Sequence, residues 1–304
     1  MKKRWMFIPA GAIFLIALIL GSFFDLQLSQ SIADTENMFG IVLAAIGEIT
    51  AYGLIGFLGG CFFYFGAHVY KKTIFKIIFI ALGVIALLGA TYFQGTAFTS
   101  VNAFGHLNES FDKLYFSLPI GFVMVAPFSV AGYFVAKKNL SLDSIKVLFT
   151  LLAMVLIVLL GINLIKILAY RPRFRLIQLE GDDLFKNWWE FTFGKGLKDV
   201  YDSEHIKSFP SGHTGCAVFA MTIVYLPYFF PQLNKYKHFE EFAFFSGLAY
   251  ALLIAFSRIL VGAHFLSDVA FSGVFFVVTM YVANEVLLKL ETKKVNQSTE
   301  SINL

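Results

Sequence analysis

Long apolar segments separated by short polar connections make up most of this chain. A transmembrane helix needs about 20 predominantly apolar residues, and about eight segments come close to that length or exceed it. They lie approximately at residues 7–24, 41–69, 74–94, 117–136, 146–169, 212–231, 242–261 and 264–288. The pattern predicts an all-α polytopic membrane protein with about eight transmembrane helices.

The charges on the connections predict how the segments are threaded through the membrane, because basic residues are enriched on cytoplasmic loops. The basic residues that fall on one side are Lys2, Lys3, Arg4, Lys71, Lys72, Lys76, Lys137, Lys138, Lys146, Lys235, Lys237, Lys289, Lys293 and Lys294. The opposite connections carry Asp25, Asp34, Glu36, Glu109 and Asp112. We therefore expect a multi-pass cell-membrane protein with both termini in the cytoplasm and with residues 170–211 outside. The first segment lacks a clear signal-peptide cleavage site, so we interpret it as a span.

Composition agrees with a membrane protein. Of the 304 residues, 58% are hydrophobic and only 14% are charged. In soluble domains, roughly a quarter of all residues are charged. The net charge of +4 is small and does not suggest nucleic acid binding. Cys61 and Cys216 lie inside apolar segments, which disfavours a structural disulfide, and neither belongs to a zinc-binding pattern.

The fifth predicted span ends in a basic cluster, Lys166-Ile-Leu-Ala-Tyr-Arg-Pro-Arg-Phe-Arg. Four cations at a predicted outer edge depart from the usual distribution of basic residues. They are either ordinary interfacial anchors or a phosphate clamp, because arginine forks match phosphate oxygens.

The sixth predicted span follows Ser208-Phe-Pro-Ser-Gly-His-Thr. This stretch predicts a helix start, with Ser211 near the N-cap and Gly212 allowing close approach to the backbone. Free N–H groups at a helix start can bind an anion, here beside His213. A plain helix cap explains Ser211 and Gly212 equally well.

A third polar stretch, Ser257-Arg-Ile-Leu-Val-Gly-Ala-His-Phe-Leu-Ser-Asp268, separates the last two apolar segments. If the last helix begins near Gly262, His264 and Asp268 share one helical face, and the carboxylate can orient the imidazole. Arg258 can bind an anion in a bidentate manner. The alternative is a polar turn with an arginine at the membrane edge.

Together the three stretches resemble the motifs of the type 2 phosphatidate phosphatase family of integral membrane lipid phosphatases. The first family motif is a lysine, six residues and Arg-Pro; Lys166 and Arg173 match it, but Phe174 replaces the proline. The second and third motifs are complete, at Pro210, Ser211, Gly212, His213, Ser257, Arg258, His264 and Asp268. The resemblance covers roughly residues 146–288 and is specific because the motifs occur in the family's order.

The resemblance implies a role for each of these positions. His264 would attack phosphorus and form a phosphohistidine, while Asp268 orients its ring. His213 would protonate the departing oxygen and then activate water. The phosphoryl oxygens would be bound by Lys166, Arg173, Ser211, Gly212 and Arg258. No metal or other cofactor is expected, because the cations supply the charge stabilisation.

We therefore expect a metal-independent lipid phosphatase that acts at the outer membrane surface. Its substrate would be a lipid phosphate or an isoprenoid diphosphate, such as phosphatidylglycerol phosphate, phosphatidate or undecaprenyl diphosphate. A lipid phosphotransferase with the same site is the closest alternative. An anion or lipid transporter whose outer cations merely bind anions is an alternative from another class. The expected partners are the substrate and membrane lipids, and the sequence carries no signal for oligomeric state.

The chain is expected to divide into N-terminal transmembrane helices at residues 1–140, a catalytic core at 141–290 in the last four spans, and a disordered cytoplasmic tail at 291–304. Glu48, in the second span, is either a functional ionisable group or a residue of the outer interface, and the length of that span favours the interface. Trp188 predicts a short amphipathic segment on the outer leaflet or a plain interfacial anchor.

Overall fold

The computed structural model describes residues 4–100, 103, 114–139 and 141–300, which form helices and connections without a strand. The α-helices are α1 (Phe7–Ile32), α2 (Met38–Gly47), α3 (Ile49–Tyr64), α4 (Thr73–Thr99), α5 (Leu114–Asn139), α6 (Leu142–Ala169), α7 (Phe174–Glu180), α8 (Gly212–Ala217), α9 (Phe239–Leu260) and α10 (Leu266–Glu300). The predicted loop charges Lys2, Lys3, Glu109 and Asp112 lie outside the described residues.

Seven of the predicted spans are helices long and apolar enough to cross a membrane, counted over the described part of the chain. They are Arg4–Ile32, Met38–Val69, Thr73–Thr99, Leu114–Asn139, Asp143–Glu180, Phe239–Leu260 and Leu266–Leu290. The predicted fold class, an all-α polytopic membrane protein, is confirmed.

The segment predicted as the sixth span is not a regular α-helix. α8 has only six residues, and a 3₁₀-helix (Val218–Tyr228) of 11 residues continues it. At rises of about 1.5 and 2.0 Å per residue, the two together extend roughly 31 Å, which is close to the thickness of the hydrocarbon core. The tighter helix therefore covers the membrane with fewer residues than an α-helix needs.

α3, α4 and α5 pack against one another more extensively than most other helices of the chain. Small residues allow this close approach: a Cβ atom at Gly60 would overlap Ser129 O, and one at Gly95 would overlap Ser117 O. Helices in a membrane gain stability from such backbone proximity, because lipid supplies no hydrophobic force between them.

The long helices alternate in direction, so their connections fall at two ends of the bundle. At one end, Arg4 Nε lies 2.7 Å from Glu285 Oε1, which joins the start of the chain to α10. The connections that carry Lys71, Lys137 and Lys235 lie at this same end, which we call the basic end. The opposite end brings together the ends of α6 and α9 and the starts of α8 and α10.

α10 continues as a helix to Glu300, although the polar composition from residue 291 onward predicted a disordered tail. Glu291, Lys293 and Lys294 at the start of this extension are good helix formers, which is consistent with continuation of the helix beyond the apolar span. Residues 301–304 lie outside the described residues.

Candidate active site

A cavity of about 440 Å³ opens at the end of the bundle opposite the basic end. Its polar wall contains residues from all three sequence motifs, namely Lys166, Arg173, Gly212, His213 and His264. These residues are far apart in sequence and come from α6, α8 and the two connections that follow α6 and α9. The fold therefore brings the motifs to one place.

His264 lies in the connection between α9 and α10 and not on a helix. Gly262 adopts a positive φ of 62°, which favours glycine, and turns the chain at the end of α9. The N–H groups of Ala263 and His264 donate to Arg258 O, at 3.1 and 3.2 Å. The expectation that His264 and Asp268 share a helical face is therefore wrong, because α10 begins only at Leu266.

The imidazole of His264 nevertheless faces Asp268, with 3.6 Å between Nδ1 and Asp268 Oδ2. Contacts of this kind are often long without substrate and tighten when it binds. Burial holds the pKa of His264 well below its usual range; the Arg173 and Lys166 charges lower it further, whereas Asp268 opposes the shift. The ring is therefore neutral near pH 7, and its Nε2 lone pair is available.

Three hydrogen bonds hold the carboxylate of Asp268. One oxygen, Oδ1, accepts from Arg171 Nη1 at 2.6 Å. The other, Oδ2, accepts from Phe265 N at 2.8 Å and from Ser208 Oγ. The carboxylate therefore has a fixed position at the start of α10, from which it can hold the His264 ring.

Arg171 links this carboxylate to the first helix. Its Nη2 lies 2.9 Å from Asp25 Oδ2, and its Nη1 also donates to Ser267 Oγ at 2.8 Å. Asp25 Oδ1 in turn accepts from Ser267 N at 2.9 Å. From the sequence, Asp25 was expected in an outer connection and Arg171 only as part of the basic cluster, although an Asp near the end of an apolar helix was a signal for such a pair.

Arg173 and Lys166 present cations to the cavity. Arg173 Nη1 donates to Ala263 O at 2.9 Å and lies 3.4 Å from His264 Nε2, while its Nε donates to Glu204 O. Lys166 Nζ donates to Lys207 O at 2.9 Å. Backbone carbonyls thus orient both cations at the cavity, and the Glu204 carboxylate lies 4.0 Å from Arg173 Nη2.

Arg258, the third predicted cation, is fully buried and does not line the cavity. None of its three side-chain nitrogens has a hydrogen-bond partner among the described residues. Leaving buried charged donors unsatisfied is costly, so they identify a position where an anion would be stabilised.

Ser211 is confirmed as a helix cap: its Oγ accepts from Thr214 N at 3.3 Å. Ser211 N donates to Asp268 O at 3.1 Å, and Ser272 Oγ donates to Ser211 O at 2.9 Å. The backbone N–H and C=O of Ser211 are thus both hydrogen-bonded to α10. The Ser211 hydroxyl is fully buried and does not line the cavity, whereas Gly212 does. The structure therefore places Gly212, and not Ser211, at the cavity wall.

His213 faces a second carboxylate. Its Nδ1 lies 3.3 Å from Glu48 Oε1, and both side chains are nearly buried. Its Nε2 has no hydrogen-bond partner among the described residues. Glu48, for which the sequence favoured an interfacial position, instead lines the cavity together with His213.

Phe174, which replaces the motif proline, begins α7. Proline is favoured at the first position of a helix, where no intrahelical hydrogen bond is lost, so the two residues suit the same backbone geometry. The Phe174 ring packs edge-on against Phe265, with 6.2 Å between centroids, beside the turn at Gly262. The departure from the motif therefore adds packing behind the catalytic connection.

The connection after α7 is packed onto the bundle and forms no amphipathic helix along its tryptophans. Trp188 Nε1 donates to Ser22 Oγ at 2.9 Å, and its ring packs against Phe209 and Phe271. The contact joins α1 to the start of the catalytic region. Of the two predicted alternatives, Trp188 fits the structural anchor.

Among the described residues, no group of three or more His, Cys, Asp or Glu side chains is arranged to hold a metal ion. Cys61 and Cys216 are buried free thiols.

Two histidines that each face a carboxylate lie beside several cations in a membrane helix bundle, and these are the groups that phosphoryl transfer through a histidine requires. Residues 146–289, a little under half of the chain, match the family model described as the PAP2 superfamily. Its members are phosphatases, which supports phosphatase activity on phosphate esters. No curated protein and no solved structure matches the chain.

Proposed function

We propose that this protein is a membrane lipid phosphatase that hydrolyses a lipid phosphate or isoprenoid diphosphate through a phosphohistidine at His264. The observation that carries the proposal is the position of His264. Its Nδ1 faces Asp268, and its Nε2 lies 3.4 Å from Arg173 Nη1 at the wall of the cavity. A phosphoryl group bound to Arg173 would thus lie beside the free ring nitrogen.

In the first step, His264 Nε2 attacks phosphorus and forms an N–P bond while the P–O bond to the lipid oxygen breaks. The imidazole becomes positively charged, and Asp268 stabilises this charge from the Nδ1 side. His213 donates its proton to the departing oxygen, because an alkoxide is a poor leaving group.

In the second step, water attacks the phosphorus of the phosphohistidine and the N–P bond breaks. His213, now neutral, accepts the proton of the attacking water, so that both histidines return to their initial states. Inorganic phosphate leaves the cavity. A phosphotransferase would use an alcohol in place of water in this step.

The cations stabilise the charge that gathers on the phosphoryl oxygens. Lys166 and Arg173 line the cavity, and the unsatisfied guanidinium of Arg258 lies behind it. Positioning and electrostatic stabilisation of this kind account for most of the rate enhancement in phosphoryl transfer. The Gly212 backbone at the start of α8 completes the proposed cradle.

A second cavity supports a substrate with a hydrocarbon chain. It has a volume of about 390 Å³, lies between α3, α4 and α6, and is almost entirely apolar. It shares Tyr52, Phe93, Leu159 and Asn163 with the catalytic cavity, so the two spaces adjoin. From Asn163 to Leu152, the lining of α6 extends roughly 16 Å at about 1.5 Å per residue. A lipid phosphate could therefore place its headgroup in the catalytic cavity and its hydrocarbon chain in this second cavity.

We further propose that the site faces the outside of a cell membrane and that both termini are cytoplasmic. The support is the distribution of lysines: the connections at the basic end are cationic, and basic loops are retained in the cytoplasm. The cavity lies at the opposite end of the bundle.

The test is phosphate release from a panel of lipid phosphates and diphosphates, measured in detergent with the full-length protein. The His264→Ala variant should lose activity by at least about 10⁴-fold, because the covalent route is removed. His238→Ala is the matched control; this histidine is exposed and far from the cavity, so the substitution should leave activity unchanged.

Full activity of His264→Ala would contradict the phosphohistidine route. Loss of wild-type activity in a chelator would contradict a metal-independent site. Transfer of the phosphoryl group to an added alcohol, without release of phosphate, would favour the phosphotransferase.

A further inference from the structure

Glu48 is a buried carboxylate of the site that comes from outside residues 146–289, the part that matches the superfamily. It lies between α2 and α3, at the point where the two helices meet. A charged group within a membrane span is expensive and is commonly retained for function. The proposed two-step reaction leaves Glu48 without a role.

The contact between Glu48 and His213 resembles the contact between Asp268 and His264. In each case a carboxylate faces Nδ1 of a histidine at the cavity: 3.3 Å for Glu48 and His213, and 3.6 Å for Asp268 and His264. His213 Nε2 is buried and has no partner among the residues that the structure describes. With Nδ1 directed to Glu48, Nε2 is the nitrogen left to exchange a proton with substrate or water.

The position of Glu48 is held by contacts on both sides of it. Thr50 Oγ1 donates to Cys216 O at 2.7 Å, which joins α3 to α8, the helix that carries His213. Tyr250 Oη donates to Ile46 O at 3.2 Å, which joins α2 to α9. The junction of α2 and α3 is thus fixed against the catalytic helices, as required of a group that orients another side chain.

We propose that Glu48 is a positioning residue for His213. By accepting a hydrogen bond from Nδ1–H, it would orient the ring, set its tautomer and stabilise the imidazolium that donates the proton. The inference rests on the proposed function, since it assigns Glu48 to the acid–base step of that reaction.

The test compares the full-length Glu48→Gln variant with wild type in a single turnover on two substrates, a lipid phosphate and 2,4-dinitrophenyl phosphate. Release of an alkyl alcohol from the lipid phosphate requires a proton, whereas release of 2,4-dinitrophenolate does not. If Glu48 acts through His213, first-turnover cleavage of the lipid phosphate should slow by about 10²-fold or more, since general acid catalysis contributes about 10²–10⁴-fold. First-turnover release of dinitrophenolate should change by only a few-fold.

A merely structural role for Glu48 would slow both substrates equally, and that result would overturn the inference, as would an unchanged rate with the lipid phosphate. His213→Ala should lose as much activity as the double variant Glu48→Gln/His213→Ala, because the two residues act as one unit. Additive losses would also overturn it. Glu285→Gln is the matched control at the basic end and should behave as wild type.

Failure of the proposed function gives a different result. If wild-type protein releases neither leaving group, or if His264→Ala remains active, the phosphatase mechanism itself is refuted. If wild type is active, His264→Ala is inactive and Glu48→Gln is unaffected, only the role of Glu48 is refuted.

Discussion

At the scale of single residues, Arg171 and Arg173 are only two positions apart in sequence but have different surroundings. Arg173 lines the cavity; it donates to the backbone carbonyls of Ala263 and Glu204 and lies 4.0 Å from the Glu204 carboxylate. Arg171 is almost fully buried between Asp25 and Asp268, and its guanidinium carbon lies 4.2 Å from the centroid of the Phe265 ring. Arg171 therefore contacts Asp268, the carboxylate that faces His264, whereas Arg173 contacts His264, the proposed nucleophile, directly.

We expect Arg171→Gln to lower the free energy of unfolding by about 3–5 kcal/mol, because removing one partner of a buried ion pair leaves uncompensated charge. Unfolding of the detergent-solubilised protein by heat or denaturant checks this. Lys195→Gln, at an exposed position of the connection after α7, should shift stability by less than about 0.5 kcal/mol. Equal stability of the two variants would contradict the role of Arg171.

Sequence could identify the motif residues but not how each one is used. The fixed spacings marked Lys166, His213 and His264 as one site, and the structure brings them to one cavity. The motif spacing selected Arg173, but it could not reveal that Arg171 pairs with Asp25 and Asp268, because that depends on which groups surround its guanidinium. The same limit applies to Ser211, whose hydroxyl caps α8 while its neighbour Gly212 lines the cavity.

At the scale of elements, the approach of α1 to the start of α10 is the contact on which the buried pair depends. Gly21 lies one turn before Asp25, and a Cβ atom there would lie 2.6 Å from Ser267 N. Only a residue without a side chain lets α1 come close enough for Asp25 to reach Ser267 and Arg171. Hydrophobic periodicity predicted both helices but could not predict this distance between them.

Gly21→Ala should displace α1, weaken the Asp25 contacts and destabilise the protein by about 1–3 kcal/mol, the usual cost of overpacking. The midpoint of thermal unfolding and the rate of phosphate release should both fall. The matched control is Gly89→Ala in α4, where an added Cβ meets nothing within 4 Å. A Gly21→Ala variant as stable as Gly89→Ala would contradict this packing.

At the scale of the whole molecule, the site extends beyond residues 146–289. Asp25 and Glu48 belong to the first and second spans, yet Asp25 pairs with Arg171, which contacts Asp268, and Glu48 faces His213. The sequence predicted a catalytic core confined to the last four spans, because contacts between residues far apart in sequence leave no local pattern. The alternating spans, in contrast, were predictable from hydrophobicity and loop charge alone.

The proposed orientation can be checked with single cysteines, because Cys61 and Cys216 are buried and should give little background. Lys195→Cys, beside the cavity end, should react with a membrane-impermeant maleimide in intact cells. Lys235→Cys, at the basic end, should react only after permeabilisation, because basic loops stay in the cytoplasm. The reverse pattern would place the site in the cytoplasm.

The link between Asp25 and Ser267 also has a consequence for biogenesis. The two residues are 242 positions apart, so the hydrogen bond between them can form only after the last span has been translated and inserted. Until then Arg171 lacks Asp268, and His264, the proposed nucleophile, has no carboxylate beside it. If the proposed function holds, a nascent or prematurely terminated chain would be inactive, and activity would arise only once the last span has been made.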